Sequence, residues 1–398
     1  MMGTNAGPLH AADGRAAALR RATRAAAVIA VMSAGPAAAQ LPLPAPLASG
    51  QAGAPRYVAD PSWPKPLPGK WILGQVSGIA VDARDHVWVL HRPRTLTERE
   101  AGAVQHPPLS ECCVPAPSVL ELDPDGNVVR AWGGPGYGAF WPASEHTIYV
   151  DYQGNVWIGS NGRGDQVVQK YTPDGALLLQ IGRPGETGGS NDTLLLGQPA
   201  GITVDSAANE VYVADGYGNR RVIVFDATTG SYRRHWGAYG GRPSDEDLGA
   251  YDPAAPPARQ FRSPVHGVRI DRDGLVYVAD RTNDRIQVFQ KTGEFVREAF
   301  VAPATIGVGS VGGSVWDIAF SRDPEQRYVF VPDGTGLKVR VLSRATLAPV
   351  AEFGRGGRAP GHFGWVHNLA VDSRGNVYTS EVDIYKRIQK FRPEGVFR

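Results

Sequence analysis

The sequence has 398 residues, with 41 Lys and Arg against 39 Asp and Glu, a formal net charge of +2. No block of like charge stands out, so charge offers nothing to a nucleic-acid partner, and 42% hydrophobic residues exclude a disordered chain. Length alone suggests two or three domains, but repeated all-β folds exceed that prior as single units, and 49 Gly and 32 Pro point to many turns.

The chain opens with Arg15, Arg20, Arg21 and Arg24 ahead of a weakly apolar stretch, Ala25 to Ala34, and small residues Ala37 to Ala39 before Gln40. This order reads as an export signal over residues 1–40, which would place the mature protein in the periplasm or outside the cell. The apolar stretch is too short to span a bilayer, no later one is longer, and no membrane insertion is expected. The Arg20–Arg21 pair leaves both the general and the twin-arginine export routes open. Residues 41–55, rich in Pro and Ala, read as a flexible leader, and residues 56–398 as one domain.

From residue 78 onward one unit recurs six times. Its first strand reads "GIAVD" (78–82), "TIYVD" (147–151), "GITVD" (201–205), "GVRID" (267–271), "DIAFS" (317–321) and "NLAVD" (368–372). A polar turn follows each, then "HVWVL", "NVWIG", "EVYVA", "LVYVA", "RYVFV" and "NVYTS", then a third strand such as "VIVFD" or "IQVFQ". Five units carry a fourth, such as "VVRAWG" or "YRRHWG". Period-two alternation bounded by Gly, Asp and Asn marks strands, and four antiparallel strands at this period make a propeller blade. The sixth unit lacks a fourth strand, and "RYVAD" (56–60) is expected to supply it, closing the ring and covering an edge. The fold expected is all-β: a six-bladed β-propeller of four-stranded blades, closed by an N-terminal strand.

In a blade the first strand is innermost. The residues heading the six first strands are Ser77, His146, Ala200, His266, Trp316 and His367. Any one of these histidines alone reads as an ordinary channel residue. Histidine in blades two, four and six is different, because alternate blades of a six-fold ring are related by threefold rotation. His146, His266 and His367 can then converge on the axis, and three imidazoles with an open fourth position make a catalytic zinc arrangement. Residues that follow each second strand overlook the same mouth. They include His91 and Arg92, Asn161, "DGYGNRR" (215–221), "DRTNDR" (280–285) and Glu381, together with the long segments 91–117, 183–199 and 238–263. Loops of that length in a compact fold are usually functional or disordered. The only cysteines, Cys112 and Cys113, are adjacent. Their Cα atoms, about 3.8 Å apart across a trans peptide, are closer than a disulfide prefers, so a reduced pair and a strained ring both remain open.

Three loops carry a resemblance: "LGQVSGIAVD" with "HR" at 91–92, "VYVADGYGNRRVIVF", and "VYVADRTNDRIQVFQKTGEFVRE". Across residues 57–395 the chain resembles the peptidyl-α-hydroxyglycine α-amidating lyase family of NHL-repeat propellers. The resemblance implies zinc on His146, His266 and His367, catalytic roles for Arg92 and Tyr217, and Arg281 close to substrate. It also implies a structural calcium ion held by the carbonyls of Val76 and Ile148 and by the side chain after the third histidine, here Asn368. The implied reaction breaks a carbinolamide C–N bond to give an amide and glyoxylate. In it Tyr217 serves as general base, favoured as phenolate by zinc and the two arginines, and Arg92 orients the substrate's oxygen or carboxylate through its planar fork.

The sequence departs from that family at several places. Asn368 stands where the family has a carboxylate, which removes a negative charge from a site suited to anionic oxygen. Trp365 stands where the family has methionine, "EHT" with Glu145 replaces "PHG", and both disulfides of the animal enzymes are missing. Fold does not fix function, so two other classes stay open: a metal-dependent hydrolase or lyase acting on another small molecule, and a non-catalytic NHL-propeller binding protein. The partner expected is a peptide or small-molecule substrate. Nothing in the sequence specifies an oligomeric state.

Overall fold

Six four-stranded antiparallel sheets follow one another along the chain in the computed structural model, which describes residues 54–307 and 312–394. The expected export signal and residues 41–53 of the leader lie outside the described residues. The inner strands are Gln75–Val81, Glu145–Val150, Pro199–Asp205, Val265–Ile270, Ala319–Phe320 and Val366–Val371. Each pairs with the strand that follows it in sequence, and the inner strand of blade six packs against that of blade one, which closes the ring. Arg56–Ala59 forms the outer strand of blade six, antiparallel to Ile388–Glu394, as "RYVAD" leads one to expect. Among the described residues the only helical pieces are short 3₁₀ turns such as Pro93–Thr95, and no helix is long and apolar enough to cross a membrane.

Alternation along each strand buries one apolar face against each neighbouring blade, so the core is a set of six layers. One layer joins Val87, Val89 and Leu120 of blade one to Ala370, Tyr378 and Ile388 of blade six. Another joins Val222 and Trp236 of blade three to Val268 and Val278 of blade four. The aspartate ending most inner strands explains the recurring "D…NVW" pattern. Asp151 Oδ1 accepts the backbone N–H groups of Gln153 and Asn155, both at 2.9 Å, while its Oδ2 accepts Trp157 Nε1–H at 3.0 Å. Asp372 does the same for Arg374, Asn376 and the Tyr378 hydroxyl. One carboxylate thus satisfies a turn and a fully buried aromatic together, leaving no polar group stranded.

Two local departures position the site. In five blades the pairing of the first two strands shifts register at the strand head: between Val76 and Gly78, Glu145 and Thr147, Pro199 and Gly201, Val265 and Gly267, and Val366 and Asn368. The residue skipped is Ser77, His146, Ala200, His266 or His367. A β-bulge leaves its extra residue out of the ladder and re-aims that side chain, so all three histidines project from bulges. Blade five is the exception. Its inner strand pairs over only Ala319–Phe320, although five residues, 317–321, read as a strand. The facing strand carries Pro332, which has no N–H to give, and the Asp317 side chain takes the Ile318 N–H at 2.8 Å instead. Cys112 and Cys113 are joined as a vicinal disulfide, which closes the alternative left by their spacing.

Candidate metal centre and active site

The three bulges bring His146, His266 and His367 together at one mouth of the channel. One ligand atom from each lies within 4.8 Å of the others, and all three rings are buried. Ring centroids are 4.9–5.0 Å apart with the planes steeply inclined. Each Nδ1 faces an oxygen that can only accept. His146 Nδ1 meets Ala200 O at 2.9 Å, His266 Nδ1 meets Trp316 O, and His367 Nδ1 meets Asn368 Oδ1. The Asn368 amide is itself oriented, because its Nδ2 donates to Asp317 Oδ2 at 3.0 Å and so turns Oδ1 toward the ring. Each Nδ1 must therefore carry the proton, which leaves every Nε2 a bare lone pair. Burial holds all three rings neutral. It drives His146 and His266 well below the ordinary histidine range, and burial followed by the nearby Arg92 charge brings His367 down to about 3.

Among the described residues, only the Tyr217 hydroxyl hydrogen-bonds to these nitrogens, at 3.1 Å from Nε2 of both His146 and His266. One phenol proton cannot satisfy both lone pairs, and His367 offers a third. Three neutral imidazoles with Nδ1 tied back and Nε2 turned inward fit a zinc ion, whose histidine bonds run about 2.0–2.1 Å with outer partners on the far nitrogen.

Tyr217 owes its place to glycine. A side chain at Gly216 would fall 1.9 Å from Val265 O, and one at Gly218 would fall 2.2 Å from Gly197 O. Only this close approach lets the loop bring the phenol over the imidazoles. Arg281 donates from Nη1 to the Tyr217 oxygen at 3.3 Å and lies 4.2 Å over the Trp316 ring, itself 5.4–5.6 Å from His266 and His367. Trp365 stacks edge-on against Trp316 at 5.5 Å and extends the aromatic wall. Arg92 is held one step further out. Its Nε donates to Glu145 O at 2.6 Å, Nη2 to Asn161 Oδ1 at 3.2 Å and Nη1 to Gln75 Oε1 at 3.4 Å.

Other mouth residues turn out to be structural. His91 is fully buried; its Nδ1 accepts the Gly74 N–H at 3.0 Å and its Nε2 donates to Pro117 O at 2.9 Å, and burial lowers its pKa to about 4. It ties the long 93–117 segment to the blade. In "DGYGNRR" and "DRTNDR" the same device appears twice: Asp215 with Asn219 and Arg221, and Asp280 with Asn283 and Arg285, each a fully buried ion pair. Glu381 accepts the N–H groups of Gly364 and Trp365 and pairs with Arg387. Glu145 turns away from the imidazoles, with Oε1 taking Ser118 Oγ and Trp141 Nε1. Val76 and Ile148 are buried on the inner strands of blades one and two. Trp316 and Gln75 are additions to the expected set. Trp316 is readable as the head of the fifth inner strand, whereas Gln75 lies inside the "LGQVSGIAVD" stretch without anything that singles it out as a partner of Arg92.

Just past Arg281, Asp284 is fully buried with a left-handed backbone (φ 51°). Its Oδ1 accepts the Ser314 N–H at 2.7 Å and its Oδ2 has no hydrogen-bond partner. Burial, with the charges of Asp333 and Asp280, raises its pKa to about 8. In the unfolded chain the group titrates near 3.9, so the folded state holds the extra proton. Its contribution to stability is complete below about pH 4 and declines as pH rises to about 8. Asp284→Asn, which keeps the neutral shape at every pH and tolerates a positive φ, is expected to flatten that decline. It should gain about 2–5 kcal/mol over the parent near pH 8, read by urea melts at mildly acidic and mildly alkaline pH.

The NHL-repeat family matches residues 196–225 and 265–289, and the two component regulator propeller family matches residues 144–162. These segments contain His146, Tyr217, His266 and Arg281. NHL repeat-containing protein 3 of Homo sapiens is 30% identical over 299 residues, 70% of this chain and 73% of that protein. Peptidyl-glycine alpha-amidating monooxygenase B of Xenopus laevis is 30% identical over 239 residues, 57% of this chain but 24% of that protein. A probable peptidyl-alpha-hydroxyglycine alpha-amidating lyase of Caenorhabditis elegans is 25% identical over 222 residues, 54% of this chain and 56% of that protein.

Proposed function

We propose that this chain, which belongs to the NHL-repeat protein family and is homologous to the peptidyl-α-hydroxyglycine α-amidating lyases, is an exported zinc-dependent lyase that splits an α-hydroxyglycine amide into an amide and glyoxylate. The observation that carries the reading is the convergence of three bare Nε2 atoms under one tyrosine hydroxyl, with an arginine donating to that hydroxyl.

His146, His266 and His367 would hold the zinc ion, which when bound would supply a Lewis acid for a substrate oxygen. The protein's own groups do the rest. As the C–N bond breaks, its electron pair leaves with nitrogen, the α-hydroxyl loses its proton, and its oxygen becomes the carbonyl of glyoxylate. Starting as the phenolate, Tyr217 Oη would take that proton and hand it to the departing nitrogen, so the tyrosine ends the cycle as it began and no net acid is consumed. Arg281 donates to the same Oη, and a charge-assisted hydrogen bond favours negative charge there. Arg92, fixed by three partners, presents the rest of its guanidinium edge to the substrate carboxylate. Trp316 and Trp365 wall one side and limit water.

The test offers the purified full chain, loaded with zinc, an α-hydroxyglycine-extended peptide and measures glyoxylate. Release above the spontaneous rate, abolished by removing zinc and restored by returning it, is the expected result. Release no faster than the blank overturns the reading.

A further inference from the structure

Deeper in the channel, below the histidines, a second polar cluster lies that zinc chemistry does not use. Arg269, from the inner strand of blade four, donates from Nη1 to Ile202 O at 3.0 Å and Val268 O at 2.9 Å, and from Nη2 to Asp317 Oδ2 at 2.9 Å. Ile202 and Val268 hold the same repeat position as Ile148, two residues after the strand head, so these carbonyls belong to one tier of the ring. Asp317 and Asn368 share the next position up, in blades five and six. The other four residues there are Gly78, Thr147, Gly201 and Gly267. A side chain at Gly267 would come within 3.0 Å of Asp317 Oδ1, so glycine keeps room for that carboxylate.

This tier contains two of the three calcium donors that the family resemblance implies, the carbonyl of Ile148 and the side chain at position 368, while the third, Val76, stands one residue ahead of its strand head; the donors here fit that ion poorly. Calcium takes six to eight oxygens, several of them anionic. Asn368 is neutral, and its oxygen accepts the His367 Nδ1 proton. The one carboxylate, Asp317, is almost wholly buried and fully engaged, with Oδ1 on the Ile318 N–H and Oδ2 shared by Arg269 and Asn368. A permanent cation already sits against it, since guanidinium does not deprotonate in proteins.

We propose that the Arg269 guanidinium is the resident cation of this channel, doing the work of a structural metal ion, and that the protein binds no calcium there. The carboxylate of this tier stands in blade five, at position 317, and not in blade six, at position 368, and it is matched with a single positive charge from blade four. The arrangement reaches the metal centre through side chains alone: Arg269 and Asp317 orient the Asn368 amide, and Asn368 fixes the proton on His367. Arg269 and Asp317 are in this sense positioning residues.

The experiment is independent of any enzymatic activity. The purified full chain, dialysed against calcium-free buffer containing zinc, is examined by elemental analysis and by thermal melts with and without millimolar calcium. No calcium in the protein and superimposable melts are expected. Stoichiometric calcium that survives dialysis, or a melting temperature that rises on adding calcium, overturns the proposal. Arg269→Met keeps most of the stem and removes the charge, freeing Asp317 and the two carbonyls. Its melting temperature is expected to fall in calcium-free buffer and to recover with calcium but not with magnesium. A variant recovered folded only when calcium is present supports the proposal equally, and a folded variant indifferent to calcium overturns it.

Discussion

His266→Ala is expected to empty the metal centre: zinc falls from one ion per chain to near none, and amide release slows by about 10³-fold or more. The magnitude follows from what the ion is asked to do. Lewis-acid polarisation is worth several kcal/mol at the transition state, and each ~1.4 kcal/mol is tenfold in rate. The variant removes one of three inward lone pairs, and neither adjacent inner-strand head, Ala200 or Trp316, offers an imidazole in its place. The fold should survive, because the six apolar layers lie between blades and none includes the histidines. The measurement is zinc content by elemental analysis together with glyoxylate release at saturating peptide. Full zinc occupancy with an unchanged rate would detach the chemistry from the histidine cluster.

How much of this was legible beforehand depends on whether a feature repeats along the chain or only in space. The six inner strands, the closing strand at 56–59 and the convergence of His146, His266 and His367 follow from a pattern copied six times, because a ring converts equal sequence spacing into equal angles. The bulges at the strand heads do not appear in any residue type. Valine precedes three of them, at 76, 265 and 366, and glycine follows three, at 78, 201 and 267, but the bulge at His146 lies between Glu145 and Thr147, so no residue type marks all five. The shortened inner strand of blade five depends on Pro332, which lies on its partner and not on itself. The Arg269–Asp317 pair joins residues 48 apart in adjacent blades, and nothing local marks either as inward-facing. The motif loops show the reverse case. "DGYGNRR" and "DRTNDR" look wholly functional, yet Asp215, Asn219, Arg221 and their counterparts 280, 283 and 285 are scaffold. They buy precision for the two side chains that reach the site, Tyr217 and Arg281.

Tyr217→Phe separates a proton-transfer role from a positioning one, and its effect should be nearly as large. The phenol oxygen contacts His146 and His266 Nε2 and Arg281 Nη1, while the ring packs edge-on against both imidazoles, with centroids at 5.0 and 5.7 Å. Phenylalanine keeps the ring and its packing, and Gly216 and Gly218 still hold the loop, so the loss of stability should stay within about 1–3 kcal/mol, the cost of taking one acceptor from the buried Arg281. Zinc should remain bound, because each histidine keeps its Nδ1 partner and its inward lone pair. What disappears is the one hydroxyl that, among the described residues, hydrogen-bonds to the inward Nε2 atoms. A positioned general base contributes typically about 10²–10⁴-fold, so kcat should drop by about that factor while KM changes little. The steady-state split decides the role: a base lost from the chemical step lowers kcat, whereas a group that only helped hold the substrate raises KM and leaves kcat alone. Retention of full kcat by a zinc-loaded Tyr217→Phe protein would remove the tyrosine from the proton transfer and shift the search to a water molecule at the same mouth.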